Sequence, residues 1–523
     1  MSVSIDPESI RPHDGVLGVL RLGERRSAGA ERVLELAKSA APDAEARSLG
    51  DSATGLYVDD RFVAYADPDG PLSRSFPQLE LLSPGDGLAD RAARAAHELA
   101  EDDGLVPRDG TEFAVLDPTT LHGAAASRRR VTDTADYLAT ARIQRRIDGV
   151  PVVGDGSQAT VSVSADGIES FAHNWRPADR VEEYSGADID RRRVADAITE
   201  SLAPVAEEKD VRVESVELVY YDGDNQLIQP VYRFVAAVGD ENSARLVGYV
   251  PALEAFDRLP LTIQPQKLQP RVTKAAKAAL TTRRAAAARP GLGRYVVRND
   301  NAGWVESAND FLSGLRASAI FGGVSPVDRQ YYWAYPRLYE NENRSFVDSV
   351  HVTLTEGHGN WWLFTTEGDD TDIVRLADIP ADGYGGAFDL GSLAHWVIHS
   401  CSVIPAPIDT SASFDVWWDI FRGLHSAVGY RTVMWINDRV TWRYGFFAGL
   451  GAPMVSNWLS AVIGDDSYSP TTFYTDSDHH NPARVLPHGR PSAVNVFGHA
   501  DDTIRQTAPL GRPSVLQQWW YGN

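Results

Sequence analysis

The sequence predicts a mixed α/β chain: a C-terminal α/β domain with a mostly parallel sheet, preceded by two small α+β units. Three observations carry this. Of the 13 tryptophans only Trp175 lies in the first half, and the rest begin at Trp304. Histidine and the single cysteine, Cys401, concentrate toward the same end. Short apolar runs alternate with helical patterns throughout, the signature of strands packed on helices. The divisions read as 1–126 for a first unit, 127–257 for a second, 258–294 for a linker and 295–523 for the C-terminal domain.

The elements follow in order. Val16–Leu22 and Gly55–Ala64 read as strands, and Ala30–Lys38 and Leu88–Glu101 as helices with an apolar face every 3.6 residues. In the second unit Ile143–Ile147 alternates like a strand and Asp148-Gly149 signals a hairpin. Val150–Val153, Ala159–Val163 and Ile168–His173 continue as strands, with Asp166-Gly167 as a turn. Ile189–Leu202 reads as a helix, and Val213–Tyr221 and Pro230–Val238 as a closing strand pair. From Arg258 to Asn299 no acidic residue occurs, although the chain carries 72 acidic against 50 basic residues and a net charge of −22. This basic, Ala-rich stretch reads as a tether on an acidic surface or as a protease-accessible junction, with Arg283-Arg284 as its cut.

Composition excludes several classes. Hydrophobic residues at 43% and charged residues at 23% are those of a globular protein, at about three domains for 523 residues. So acidic a chain lacks the basic surface that nucleic-acid binding requires. No apolar run is long enough to span a bilayer, and the N-terminus has no apolar signal core, so a cytoplasmic location is expected by default. One cysteine leaves no intrachain disulfide. No cofactor is expected.

Ile147–Gly154, Ala159–Val163, Asp166-Gly167, Glu217–Gly223 and Val231–Phe234 together resemble the FTP and PepSY-like propeptide modules of secreted metallopeptidases. The resemblance covers about 100 residues, and it implies a role as chaperone or inhibitor of an attached enzyme. An unrelated small α+β domain is the alternative.

The chemistry concentrates in two places. Val350–Leu354 reads as a strand ending in Glu356-Gly-His358-Gly359. Ala394–Ile398 reads as a second strand ending in His399-Ser-Cys401. Ligands of open parallel sheets bind beyond the carboxyl ends of strands, and both His358 and Cys401 fall there. A thiol needs a nearby base to become a nucleophile. Cys401 is thus the candidate nucleophile and His358 the acid–base. The N–H groups of Gly359 and Cys401 are candidates for an oxyanion hole. Glu356, Trp361, Trp362 and His399 are candidate substrate contacts. A buried structural thiol is the alternative for Cys401.

This order resembles the caspase–hemoglobinase fold of cysteine peptidases, which includes caspases, legumains and gingipains. His-Gly follows one strand and Cys the next, 43 residues later. Phe414–Ser426 as a helix, Gly429–Trp435 as a strand, and Phe446–Gly451 and Val455–Ala461 as late helices extend the match from Tyr295 to the C-terminus. The layout looks like an uncharacterised bacterial family of caspase-like proteins. The chain departs from the pattern in having His399-Ser-Cys401 where caspases have Gln-Ala-Cys. Glu356, two residues before the histidine, is also foreign to it; it would orient the imidazole or raise its pKa.

Other groupings are weaker. Asp476, Asp478, His479 and His480, with His488 or His499, match no metal spacing and read as a surface loop. His395, His399 and Cys401 alternate along one strand and share a face; a soft metal site with His358 is the minor reading, and no metal is assigned. Asp415 and Asp419 lie four apart on a predicted helix, as solvated charges or a basic-group contact. The reading is a cysteine peptidase-like enzyme acting by acyl transfer or peptide-bond hydrolysis on a peptide. A biosynthetic enzyme of the cyclase type, acting on a hydrophobic small molecule in an aromatic pocket between front and back, is the alternative. A non-catalytic binding protein is the third. Oligomeric state is not legible.

Overall fold

The computed structural model describes the chain except residues 1, 25–26, 70–72, 103–104, 108, 129, 207–209, 224–225, 240–244, 254–289, 298–301, 367–372, 381, 387–390, 437–438, 465–474, 479–480, 488 and 523, and describes no side chains over 475–487. The architecture is mixed α/β, built around one large mixed sheet. The expected linker lies almost wholly outside the described residues.

The front of the chain runs β1 (Val16–Leu22), α1 (Ser27–Ala40), β2 (Glu45–Leu49), β3 (Ala53–Val58), β4 (Arg61–Ala66), β5 (Ser73–Ser75) and α2 (Leu88–Ala100). It continues as β6 (Thr119–Ser127), β7 (Ala135–Ile147), β8 (Val150–Val153), β9 (Gln158–Val163) and β10 (Ile168–His173). Then come α3 (Arg191–Ala206), β11 (Val211–Tyr221), β12 (Leu227–Val238) and β13 (Arg245–Pro251). Helix α2 buries Leu88, Ala92, Ala96 and Leu99, a stripe at helical spacing. With Val33 and Leu36 of α1 it covers Ala139, Ala141, Ala159, Val161 and Phe171 of the sheet. Helix α3 does the same over β11 to β13, burying Ile198 and Leu202 against Phe234 and Leu246.

The back of the chain runs β14 (Gly291–Val296), α4 (Ala302–Ala319), β15 (Val327–Tyr332), β16 (Val352–Glu356), β17 (His395–His399) and β18 (Ser426–Tyr430). It ends with α5 (Val440–Leu450), α6 (Met454–Ile463), β19 (Pro491–Val496) and β20 (Val515–Tyr521). Strands β15, β14, β16, β17 and β18 lie side by side in that order, all parallel. The inner strands β16, β17 and β18 are buried along their whole length, as strands covered on both faces are, whereas the edge strand β15 carries the polar run Asp328-Arg-Gln330. Then β19 and β20 add antiparallel.

The sheet does not stop there. β20 pairs antiparallel with β6 from Val515↔Ser127 to Tyr521↔Leu121. Beyond β6 the order is β7, β9, β10, β5, β4, β3, β2. The expected division at 126/127 therefore falls inside β6, which pairs with β7. β1, assigned to the first unit, pairs with β12 of the second. The front units are interlaced with each other and share a sheet with the back.

Several local expectations are corrected. Gly55–Ala64 is a hairpin of β3 and β4, turned at Asp59 and Asp60, both left-handed (φ 48° and 65°). Asp148-Gly149 makes the same turn as expected (φ 52° and 76°). Phe414–Ser426 holds only a one-turn helix at Trp417–Ile420, and Ser426 already begins β18, ahead of the Gly429 start expected.

Candidate functional site

Glu356 and His399 are the last residues of β16 and β17 and face each other on one rung of the parallel ladder. His358 and Cys401 each lie two residues beyond that rung. The two loops are clasped: Ser400 Oγ donates to the Gly357 carbonyl at 2.8 Å. A Cβ at position 359 would collide with the Ser400 side chain and the Cys401 carbonyl, so the His358 loop can pass only as glycine there.

Alternation along β17 aims its side chains at two cores. Trp396 and Ile398 join Tyr339, Phe364 and Tyr384 on one face. Val397 and Cys401 join α4, α5 and α6 on the other. Cys401 is 1% exposed. Its Sγ accepts the Met434 N–H at 3.5 Å. The half-buried His358 imidazole stands edge-on to Trp304 of α4, centroids 5.6 Å apart. Trp361 and Trp362 form the turn of the hairpin that follows, and both are half-buried. Trp362 takes a left-handed backbone (φ 57°) and packs on the core containing Trp396, which makes it the plug of this loop.

Glu356, expected to act on His358 or on substrate, instead pairs with His399. His399 Nδ1 donates to Glu356 Oε2 at 2.6 Å, and both side chains are buried. Ser307 Oγ donates to Glu356 Oε1 at 2.9 Å and lies 3.2 Å from the same Nδ1. Thr441 Oγ1 donates to the Ser307 carbonyl at 2.9 Å. Burial raises the Glu356 carboxyl, against the pull of His399 and Ser307. The His399 Nε2 is buried, with no hydrogen-bond partner among the described residues; Trp304, Tyr430 and Trp458 surround the ring. Glu356 and His399 are therefore a buried polar pair beneath the strand ends.

Ser307, Thr441, Trp304 and Met434 complete this region, and each comes from a segment remote in sequence. The one local signal is Ser307 itself, a polar residue within the buried stripe Trp304, Ala308, Phe311 and Leu315 of α4. His395, which shares a strand with His399, sits at its opposite end. Its Nδ1 meets Ser426 Oγ at 2.9 Å and its Nε2 lies 3.1 Å from the Thr503 carbonyl, so it joins no cluster with Cys401. Asp419 is exposed and bonded to Arg422 at 2.8 Å, and Asp415 lies outside the helix expected to align them. His479, His480 and His488 lie outside the described residues.

Residues 324–483, which include His358 and Cys401, match a domain of unknown function, DUF6345. Among solved structures the chain is similar to an uncharacterised protein from Eubacterium rectale, at 13% identity and a TM-score of 0.28, over 47% of this chain and 86% of that one. No curated protein matches. Among the described residues no helix is long and apolar enough to cross a membrane.

Proposed function

We propose that the chain is a cysteine-dependent acyl-transfer enzyme of caspase-like type, with Cys401 as nucleophile and His358 as proton carrier. The observation that carries the reading is the shared rung: Glu356 and His399 end adjacent parallel strands in register, and His358 and Cys401 each follow two residues later in the loops. In this reading Sγ attacks a carbonyl carbon as His358 takes the thiol proton. The Gly359 and Cys401 N–H groups hold the developing oxyanion. His358 then returns the proton to the leaving amine, and water releases the thioester. The Glu356–His399–Ser307 cluster fixes the strand ends and so positions the two loops; it supplies no reacting atom. The Met434 N–H is a donor already aimed at sulfur. The Trp361-Trp362 hairpin borders the substrate, a peptide or a hydrophobic acyl compound.

Because Cys401 is closed off at rest, reaction requires the His358 loop to open, and a small probe is the right one. Iodoacetamide labelling followed by intact mass tests this on wild type, His358→Ala and Cys401→Ala. The expected result is one adduct in wild type, at a rate that falls at least about tenfold in His358→Ala, and none in Cys401→Ala. Equal rates in wild type and His358→Ala would sink the nucleophile assignment. The cyclase-type and binding-protein readings would then take precedence.

A further inference from the structure

A second polar cluster lies at the amino ends of the parallel strands, opposite to Cys401. His425 immediately precedes β18, and His499 and Asp502 lie in the loop between β19 and β20. One ligand-capable atom from each of the three lies within 4.8 Å of the others. His425 Nδ1 is 2.5 Å and His499 Nδ1 2.9 Å from the same atom, Asp502 Oδ2.

The hydrogen-bond ledger of His425 makes this arrangement informative. Its Nε2 lies 2.7 Å from the Ala508 carbonyl. A carbonyl has no proton to give, so Nε2 carries the hydrogen. In the neutral ring Nδ1 is then a bare lone pair, and it faces a carboxylate oxygen that is also only an acceptor. Two acceptors at 2.5 Å require a cation between them: a proton, held by His425 or by Asp502, or a metal ion. The His425 side chain is 2% exposed, so whichever cation occupies this position is held out of water.

We propose that His425, His499 and Asp502 bind one divalent transition metal of the zinc class. Two imidazoles and one carboxylate form a donor set that zinc takes with a fourth position open. The Ala508 carbonyl on Nε2 is the outer contact that fixes a ligating imidazole with the correct nitrogen inward. Zinc bonds of about 2.0–2.1 Å in a tetrahedral array set ligand atoms about 3.3 Å apart. The two N–O pairs, at 2.5 and 2.9 Å, therefore each need to open by less than about 1 Å. His499, 34% exposed on its loop, has the freedom to do so and leaves the fourth position toward solvent. The loop itself is anchored: the Met454 N–H donates to the Asp502 carbonyl at 2.8 Å, and the neighbouring Asp501 carboxylate accepts the Leu79 N–H at 2.9 Å. His395, 5.3 Å from His425 between ring centroids, has both nitrogens within reach of other partners and stays outside the ligand set.

The test uses the full chain, stripped with a chelator and titrated with Zn2+ by calorimetry and with Co2+ by visible absorption. One equivalent, a tetrahedral Co2+ spectrum and a rise in melting temperature with metal are expected for wild type. His425 is buried and its loss endangers folding, so His499→Ala carries the test, alongside Asp502→Asn. Each is expected to weaken binding at least about tenfold with the unliganded fold intact by circular dichroism. Cys401→Ala and a His479→Ala, His480→Ala double variant are expected to bind as wild type does. Absence of stoichiometric binding would overturn the proposal. So would wild-type affinity in His499→Ala, or loss of binding in the double variant alone.

Discussion

At the scale of single residues, burial rather than sequence spacing decides what each candidate does. Cys401 and His358 stand out in the sequence because one is the lone cysteine and the other lies between glycines. Glu356 and His399 stand out too, but their partnership does not, because it exists only through the register of two strands 43 residues apart. The same holds for Ser307, which reaches them from α4. Burial acts on Asp310 of α4 as well, raising its carboxyl from 3.8 to about 6 against the opposing charge of Arg439. A carboxyl raised on folding contributes stability below its unfolded value, and that contribution is lost as pH rises through the folded one. Asp310→Asn removes the titration. Its stability relative to wild type is therefore expected to improve from about pH 4 to about pH 6 and to level off above about pH 7. Urea unfolding of both proteins across that range checks it, and a difference independent of pH would refute the assignment.

At the scale of elements, legibility tracks amphipathicity. Helix α2, with one buried stripe, is read almost to the residue, as are β1, β8 and β10, which are bounded by turns. Helix α5 has no polar face to read, because it is enclosed by α4, α6 and the hairpin β3–β4. Phe446 and Phe447 meet Tyr65, at centroid distances of 5.7 and 6.0 Å. Its pattern is that of a helix buried all round. Enclosure demands close approach, and two glycines supply it. A Cβ at Gly445 would strike the Phe311 carbonyl, and one at Gly314 would strike that of Trp442. The helices α4 and α5 thus cross backbone to backbone. Alanine at Gly445 gains helix propensity, worth about 1 kcal/mol, yet must push the helices apart. Overpacking costs of about 1–3 kcal/mol or more exceed that gain. Gly445→Ala is expected to lower stability by about 2 kcal/mol, read as a shift of the urea midpoint; an unchanged or raised midpoint would show that α4 and α5 do not touch there.

At the scale of the whole molecule, the composition step near residue 290 is real in sequence, and the packing crosses it. The front supplies Leu79, Leu82, Leu121 and Leu138 to the core that also holds Trp458, Val455 and Cys401. The C-terminal strand β20 buries Trp519 and Trp520 while pairing with β6 of the front. Sequence reading separates the two regions because composition reports local chemistry, whereas strand pairing across hundreds of residues leaves no local mark. A front that completes the sheet and core of the back is expected to stay with it. A removable pro-region would leave β20 with an open edge and the α5–α6 pair with bare apolar faces, a template for aggregation. A specific protease site placed within residues 258–289 tests this on the full chain. After complete cutting, the two pieces are expected to elute together at the size of the intact protein and to separate only in denaturant. Release of a folded, soluble C-terminal piece under native conditions would instead restore the front to the role of a detachable chaperone or inhibitor.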